Sequence, residues 1–179
     1  SHEIFHIWLP GAFKVDEDWP WFWEGFTEYN ALRTILQLGI INESEFKQRL
    51  ASKYFEYDHL DVKNKVNLLE ASRQEFYGNE WYQTLIYDKG TLVAYLYDKT
   101  LKQSGKSFDA FISSIYNELA LSQVPVKSKD IIGFMNKFLG NDSFTKYYVQ
   151  GVENLPIVPV EEFGIRYYIE YFKSPLGHI

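Results

Sequence analysis

His2-Glu3-Ile4-Phe5-His6-Ile7-Trp8, answered by Trp21-Phe22-Trp23-Glu24-Gly25-Phe26, is the stretch on which the reading of this chain turns. Residues four apart on a helix sit one turn above each other on the same face. A helix through the first segment therefore aims the imidazoles of His2 and His6 at one point, with Glu3 beside them. That HExxH pattern is a zinc-binding and general-base signature of metallopeptidases. Two surface histidines on an amphipathic helix would spell the same letters, so the reading needs a third ligand that leaves one position for water. Glu24 is the candidate. It enters a second helical segment ringed by Trp21, Phe22 and Trp23, with no basic residue beside it in sequence. A carboxylate in an apolar setting is costly unless it meets a cation, and a bound metal is one.

Working outward, Pro20 suits the opening of a helix from about Trp21 to Leu38, ended by Gly39. Phe22, Phe26, Tyr29, Leu32, Ile35 and Leu36 mark its apolar stripe. Glu24 and Glu28 lie one turn apart on a flanking face. Glu28 either orients His2 or His6 as a hydrogen-bond acceptor or is a solvated helix charge. Upstream, Ser1 to Leu9 reads as a short helix stopped by Pro10-Gly11, and Phe13 to Asp18 as an acidic linker. Downstream, Asn42 to Glu45 starts a helix that continues from Phe46 to Tyr57, with Phe46, Leu50, Tyr54 and Tyr57 on one side. Leu68 to Ser72 is a short helix before a Gly78-Asn79 turn.

A long helix is predicted from roughly Thr84 to Gln103, turning Leu85, Leu92, Tyr95 and Leu96 to the core. An interior glycine costs about 1 kcal/mol relative to alanine. Gly90 therefore predicts the close approach of another backbone, that of the zinc-ligand helices. Ser104-Gly105 closes this helix, and Ser107-Phe108-Asp109 opens another that ends before Val124-Pro125. Ser128 is expected to cap a helix from Lys129 to Leu139, stopped by Gly140-Asn141. Asp142 to Gln150 is a last short helix, and Val158–Val160 and Ile165–Ile169 read as short extended segments. The fold class is mainly α, a single helical domain over residues 1–179.

Composition narrows the rest. With 14 Phe, 14 Tyr and 5 Trp the core is built largely from rings, and buried Tyr and Trp need partners for their polar tips. A net charge of −6 without any basic stripe argues against nucleic acid. No run of eighteen apolar residues reads as a membrane span. The absence of cysteine excludes disulfides and thiolate metal sites, and leaves the compartment open. His59 and His178 stand outside any constellation and are assigned no role. No glycine-rich loop supports a phosphate site.

HEIFHIW followed by WFWEGFTEY resembles the gluzincin metallopeptidases, whose zinc ligands are two His and a Glu. The likeness is greatest to the glycyl aminopeptidase family, which pairs a HExxHxW helix with a WFxEGFxxY helix. The seventeen residues between His6 and Glu24 fit that pattern. A third match lies in Trp81-Tyr82-Gln83-Thr84-Leu85-Ile86-Tyr87-Asp88-Lys89-Gly90. In this family and the wider aminopeptidase N clan, a Tyr-x-Lys-Gly segment carries the tyrosine that stabilises the transition state, and Tyr87 holds that position. The likeness runs from about Ser1 to Ile115. Where family members often have a basic, polar run after HExxHxW, this chain has Leu9-Pro10-Gly11-Ala12-Phe13, a departure that bears on substrate preference more than on zinc chemistry.

The resemblance implies a helical bundle like the C-terminal half of a thermolysin-like catalytic domain, one zinc ion on His2, His6 and Glu24, and a peptide substrate. Glu3, beside the first ligand, is placed as the general base, and Tyr87 is implied as the donor to the oxyanion. Tyr82 is a second candidate for that donor, or else a packed core tyrosine. No residue is marked to hold a substrate's free α-ammonium. With its first ligand at residue two, where helix ends fray, the chain is expected to be a piece of a longer metallopeptidase. The family has a β-rich region before this point and commonly a PDZ-like domain after it. The piece alone is then expected to bind zinc less well, to lack turnover, and to dimerise through apolar surface. The rival reading is a non-catalytic helical structural or interaction module that keeps the ligand residues; metal content separates the two.

Overall fold

Pro20 opens the helix against which most of the others pack. Its missing N–H costs nothing in a first turn, where amides have no intrahelical partner, and α2 (Pro20–Gln37) runs from it until Gly39, at φ +68°, turns the chain away. In the computed structural model, residues 2–16, 19–73 and 78–155 are described, and they are mainly helical. Before α2 stands the four-residue α1 (His2–Phe5), and after it α3 (Glu43–Asp58), α4 (Leu68–Arg73) and α5 (Glu80–Thr84). A π-helical segment, Leu85–Lys89, joins α5 to α6 (Gly90–Gln103) without a break. Then come α7 (Phe108–Ile115), a second π segment (Tyr116–Ala120), α8 (Ser128–Leu139) and α9 (Ser143–Tyr148). Among the described residues there is no strand; one parallel bridge, Val15 to Val126, ties the segment before α2 to the loop before α8.

The core is aromatic, as the composition predicts. Trp19, Trp21, Phe22 and Phe26 are fully buried, and Phe26 packs against Tyr97, Phe108 and Phe111. The polar tips of these rings are satisfied inside. The Trp19 indole donates to the Val126 carbonyl (2.7 Å), the Trp21 indole to Ser128 Oγ (3.0 Å), and the Tyr97 hydroxyl to the Met135 carbonyl (2.9 Å). Each bond fixes a ring's orientation as well as its burial. α2 makes its most extensive contacts with α6 and the π segment before it, and α3 packs on the same pair.

Three details differ from the sequence reading. The first helix ends at Phe5 rather than Leu9. The Leu9 carbonyl accepts from two side chains, His6 Nδ1 and Thr27 Oγ1, and Pro10 has no N–H to continue the ladder. The long helix starts at Glu80 rather than Thr84, because the Asn79 side chain caps it by accepting from the Trp81 and Tyr82 amides. Ser128 is the first residue of α8 and not its cap; its oxygen receives the Trp21 indole N–H. The extended segments expected at Val158–Val160 and Ile165–Ile169, and His178, lie outside the described residues. No helix of the described residues is long and apolar enough to cross a membrane.

Candidate metal centre

α1 lies against α2 so that two imidazoles face two glutamates one turn apart. His2 Nε2 and His6 Nε2 stand 2.8 Å from each other. Glu24 Oε2 is 3.2 Å from the first and 3.3 Å from the second. These three residues form the metal-capable group of His, Asp and Glu found among the described residues. A tetrahedral metal with bonds of about 2.05 Å needs its ligand atoms about 3.3 Å apart. Two of the three separations already have that value, and the third needs to open by about half an ångström.

What surrounds each ligand settles which atoms face inward. His6 Nδ1 lies 2.8 Å from the Leu9 carbonyl, which can only accept, so this nitrogen carries a proton. His2 Nδ1 lies 2.9 Å from Glu28 Oε2. Burial alone would raise the Glu28 carboxyl; Lys53 and His2 outweigh it and hold it below the usual range, so Glu28 is an ionised acceptor and His2 Nδ1 also donates. In the neutral rings both Nε2 atoms therefore present lone pairs. Glu24 is buried, at 7 % exposure. Its Oε1 accepts the Trp23 indole N–H at 3.0 Å, which leaves Oε2 turned to the histidines. Two nitrogen lone pairs and a carboxylate oxygen thus converge with no proton of their own between them. Such a triad repels itself unless a cation, a metal or an added proton, sits at the centre.

The other predicted residues take distinct places. Glu28 is the acceptor that orients His2, at 2.9 Å. Glu3, beside His2 in α1, is exposed. Tyr87 sits in the π segment, half-buried, its ring centroid 6.0 Å from that of His2 at a tilt of 39°. Tyr82 is half-buried and packed against the core. His59 lies at the C-terminal end of α3, its Nδ1 donating to the Phe55 carbonyl, away from the centre. Ile4, Ile7 and Trp8 around α1 are exposed. A groove of about 510 Å³ adjoins α1, lined by Phe5, Trp8, Leu9, Phe26, Asn30 and Tyr116 among others. None of His2, His6, Glu24 or Tyr87 lines it, so it is separate from the metal centre.

Two residues at the centre carry no local signal in the sequence. Lys53, from α3, sits between Glu28 Oε1 (3.3 Å) and Asp88 Oδ1 (3.2 Å). Asp88 follows Tyr87 in the π segment, and its carboxyl is raised, first by burial, with Lys53 working against that and Glu56 and Glu28 adding to it. No family model matches the chain, and no curated protein matches it.

Proposed function

We propose that this chain is the metal-binding, helical part of a zinc-dependent peptidase that hydrolyses peptide bonds in an aminopeptidase-like way, its bundle corresponding to the C-terminal half of a thermolysin-like catalytic domain. The observation that carries the reading is the convergence of His2 Nε2, His6 Nε2 and Glu24 Oε2, each turned inward by a hydrogen bond to its other polar atom. Two imidazoles and one carboxylate are a donor set used by catalytic zinc, with one position left open. Zinc held there would lower the pKa of a water to about 7 and polarise a peptide carbonyl.

The chain's own residues supply the rest. Glu3 is exposed beside a ligand, where a carboxylate can take a proton from water and deliver it to the departing amine. The Tyr87 hydroxyl is the donor for the oxyanion that develops at the attacked carbonyl, a contribution of a few kcal/mol when such a donor is pre-aimed. Burial of Glu24 and the Trp23 indole keep the third ligand fixed during turnover. The substrate on this reading is a peptide.

The test is hydrolysis of glycyl and alanyl amides in added zinc, measured for the protein that carries this segment and for its Glu3→Gln variant. Turnover that needs zinc, and is lost in Glu3→Gln while zinc stays bound, supports the reading. Zinc-independent turnover, or turnover undiminished in Glu3→Gln, removes it. A protein that binds no zinc leaves the helical interaction module as the better account.

A further inference from the structure

We infer that Lys53 is a positioning residue of this metal centre: its ammonium, shared between Glu28 and Asp88, holds Glu28 against His2 and ties the ligand helix α2 to the π segment that carries Tyr87. The inference rests on the metal-binding reading above and adds to it a residue from α3, a helix that provides no ligand.

The geometry is a continuous chain of contacts. His2 Nδ1 donates to Glu28 Oε2 at 2.9 Å. The other oxygen of the same carboxylate, Oε1, receives Lys53 Nζ at 3.3 Å. The same ammonium reaches Asp88 Oδ1 at 3.2 Å. All three charged groups are substantially shielded, with side-chain exposures of 30 % for Glu28, 18 % for Lys53 and 14 % for Asp88. In such a setting two carboxylates cannot remain close without a cation between them. Removing the ammonium leaves Glu28 and Asp88 repelling each other, with Glu56 adding to the negative field at Asp88. Glu28 is the more exposed of the two and is free to turn toward water, which takes it off His2. The loss then reaches the metal through the ring: without its acceptor, His2 is no longer held in one orientation, and its Nε2 is a poorer donor. The other end of the chain matters as well. Asp88 is the neighbour of Tyr87, so the same ammonium helps hold the π segment at a set distance from α2.

The experiment measures zinc affinity by competition with a chromophoric chelator, together with the visible absorption spectrum of the cobalt(II) form, on the chain and its variants. Lys53→Met keeps the apolar stem and removes the charge. Its zinc dissociation constant should rise by about tenfold or more, within the 10–100-fold range of losses at residues that orient a ligand, and its cobalt bands should shift as His2 turns. Lys53→Arg should recover affinity to within about threefold, since it keeps the cation and its donors. Combining Lys53→Met with Glu28→Gln should weaken zinc no further than Glu28→Gln alone, because the lysine acts through that carboxylate. If Lys53→Met loses its helical circular dichroism, Lys53→Met/Asp88→Asn carries the test. It removes the surplus carboxylate along with the lysine, and should still bind zinc several-fold more weakly than Asp88→Asn. A wild-type chain that binds zinc while Lys53→Met binds it with the same affinity and cobalt spectrum overturns the inference and leaves the metal reading intact. Additive losses in the double variant also overturn it. A wild-type chain that binds no zinc overturns both.

Discussion

Gly25 and Gly90 meet backbone to backbone. A Cβ on Gly25 would stand 2.4 Å from the Gly90 carbonyl carbon and 2.5 Å from its Cα, and one on Gly90 would stand 2.9 Å from the Trp21 carbonyl oxygen. The contact brings α2, with Glu24 and Glu28, against the start of α6, directly after the π segment that holds Tyr87. The separation between the candidate metal ligands and the tyrosine is therefore set by the absence of two side chains. An interior glycine in each helix is the cost of that approach.

Gly25→Ala should accordingly be strongly destabilising. The atoms it strikes are backbone, which cannot rotate away, so the helices must part. A loss of about 2–4 kcal/mol is expected, at or above the upper end for overpacking. In a chain of this size that lowers the melting temperature by roughly 5–15 °C. A thermal melt within about 2 °C of wild type would show that α2 and α6 separate without penalty.

Lys89 gives a pH dependence. It is fully buried, its Nζ has no hydrogen-bond partner among the described residues, and burial lowers its pKa from 10.5 to about 8, with Glu153 opposing. The unfolded chain holds this proton up to about pH 10.4. Between pH 8 and pH 10.4 the unfolded state therefore binds more protons than the folded one, and stability from this group rises with pH across that window. Below pH 8 the folded state carries a buried charge, a penalty of about 3 kcal/mol at 1.36 kcal/mol per pH unit. Lys89→Met should be more stable than wild type by about 1–3 kcal/mol at pH 7, and the advantage should shrink toward pH 10. Urea melts at several pH values measure it; a constant difference between the two proteins would contradict the assignment.

Tyr87→Phe removes a hydroxyl and leaves the ring that packs near His2. The proposal expects kcat to fall by about 10²-fold or more, with zinc content unchanged, as for the loss of one oxyanion donor. Tyr82→Phe should leave kcat within about threefold of wild type, because that ring packs against the core. Equal rates for Tyr87→Phe and wild type would take Tyr87 out of the mechanism.

Much of the bundle was legible because helices announce themselves locally. Pro20 and Gly39 bracket α2 to within a residue or two, and its stripe of rings is the core. The near-contact at Gly90 was also readable, from the cost of a glycine in mid-helix. The π segment was not: Leu85–Lys89 spans only about one turn, too short a stretch for its wider period to stand out in the apolar pattern. Ser128 misled because a serine at a helix start usually caps it, and here a tertiary partner, the Trp21 indole, claims its oxygen. At the candidate metal centre, the grouping of His2, His6, Glu24 and Glu28 followed from their one-turn spacing in the sequence. Lys53 and Asp88 did not, because Lys53 reaches Glu28 from 25 residues further along the chain and Asp88 reaches Lys53 from 35 residues beyond that. A contact of that kind belongs to the way helices pack, which periodicity does not encode.

The central claim is that His2, His6 and Glu24 hold one zinc ion. The direct measurement is zinc K-edge X-ray absorption on the chain loaded with one equivalent of zinc and freed of excess by dialysis. The account predicts about one zinc retained per chain, with two imidazole nitrogens at about 2.0–2.1 Å and a carboxylate oxygen at about 2.0–2.2 Å, and loss of that sphere in Glu24→Ala. Retention of less than about a tenth of an equivalent, or a zinc sphere without histidine nitrogens, would contradict it.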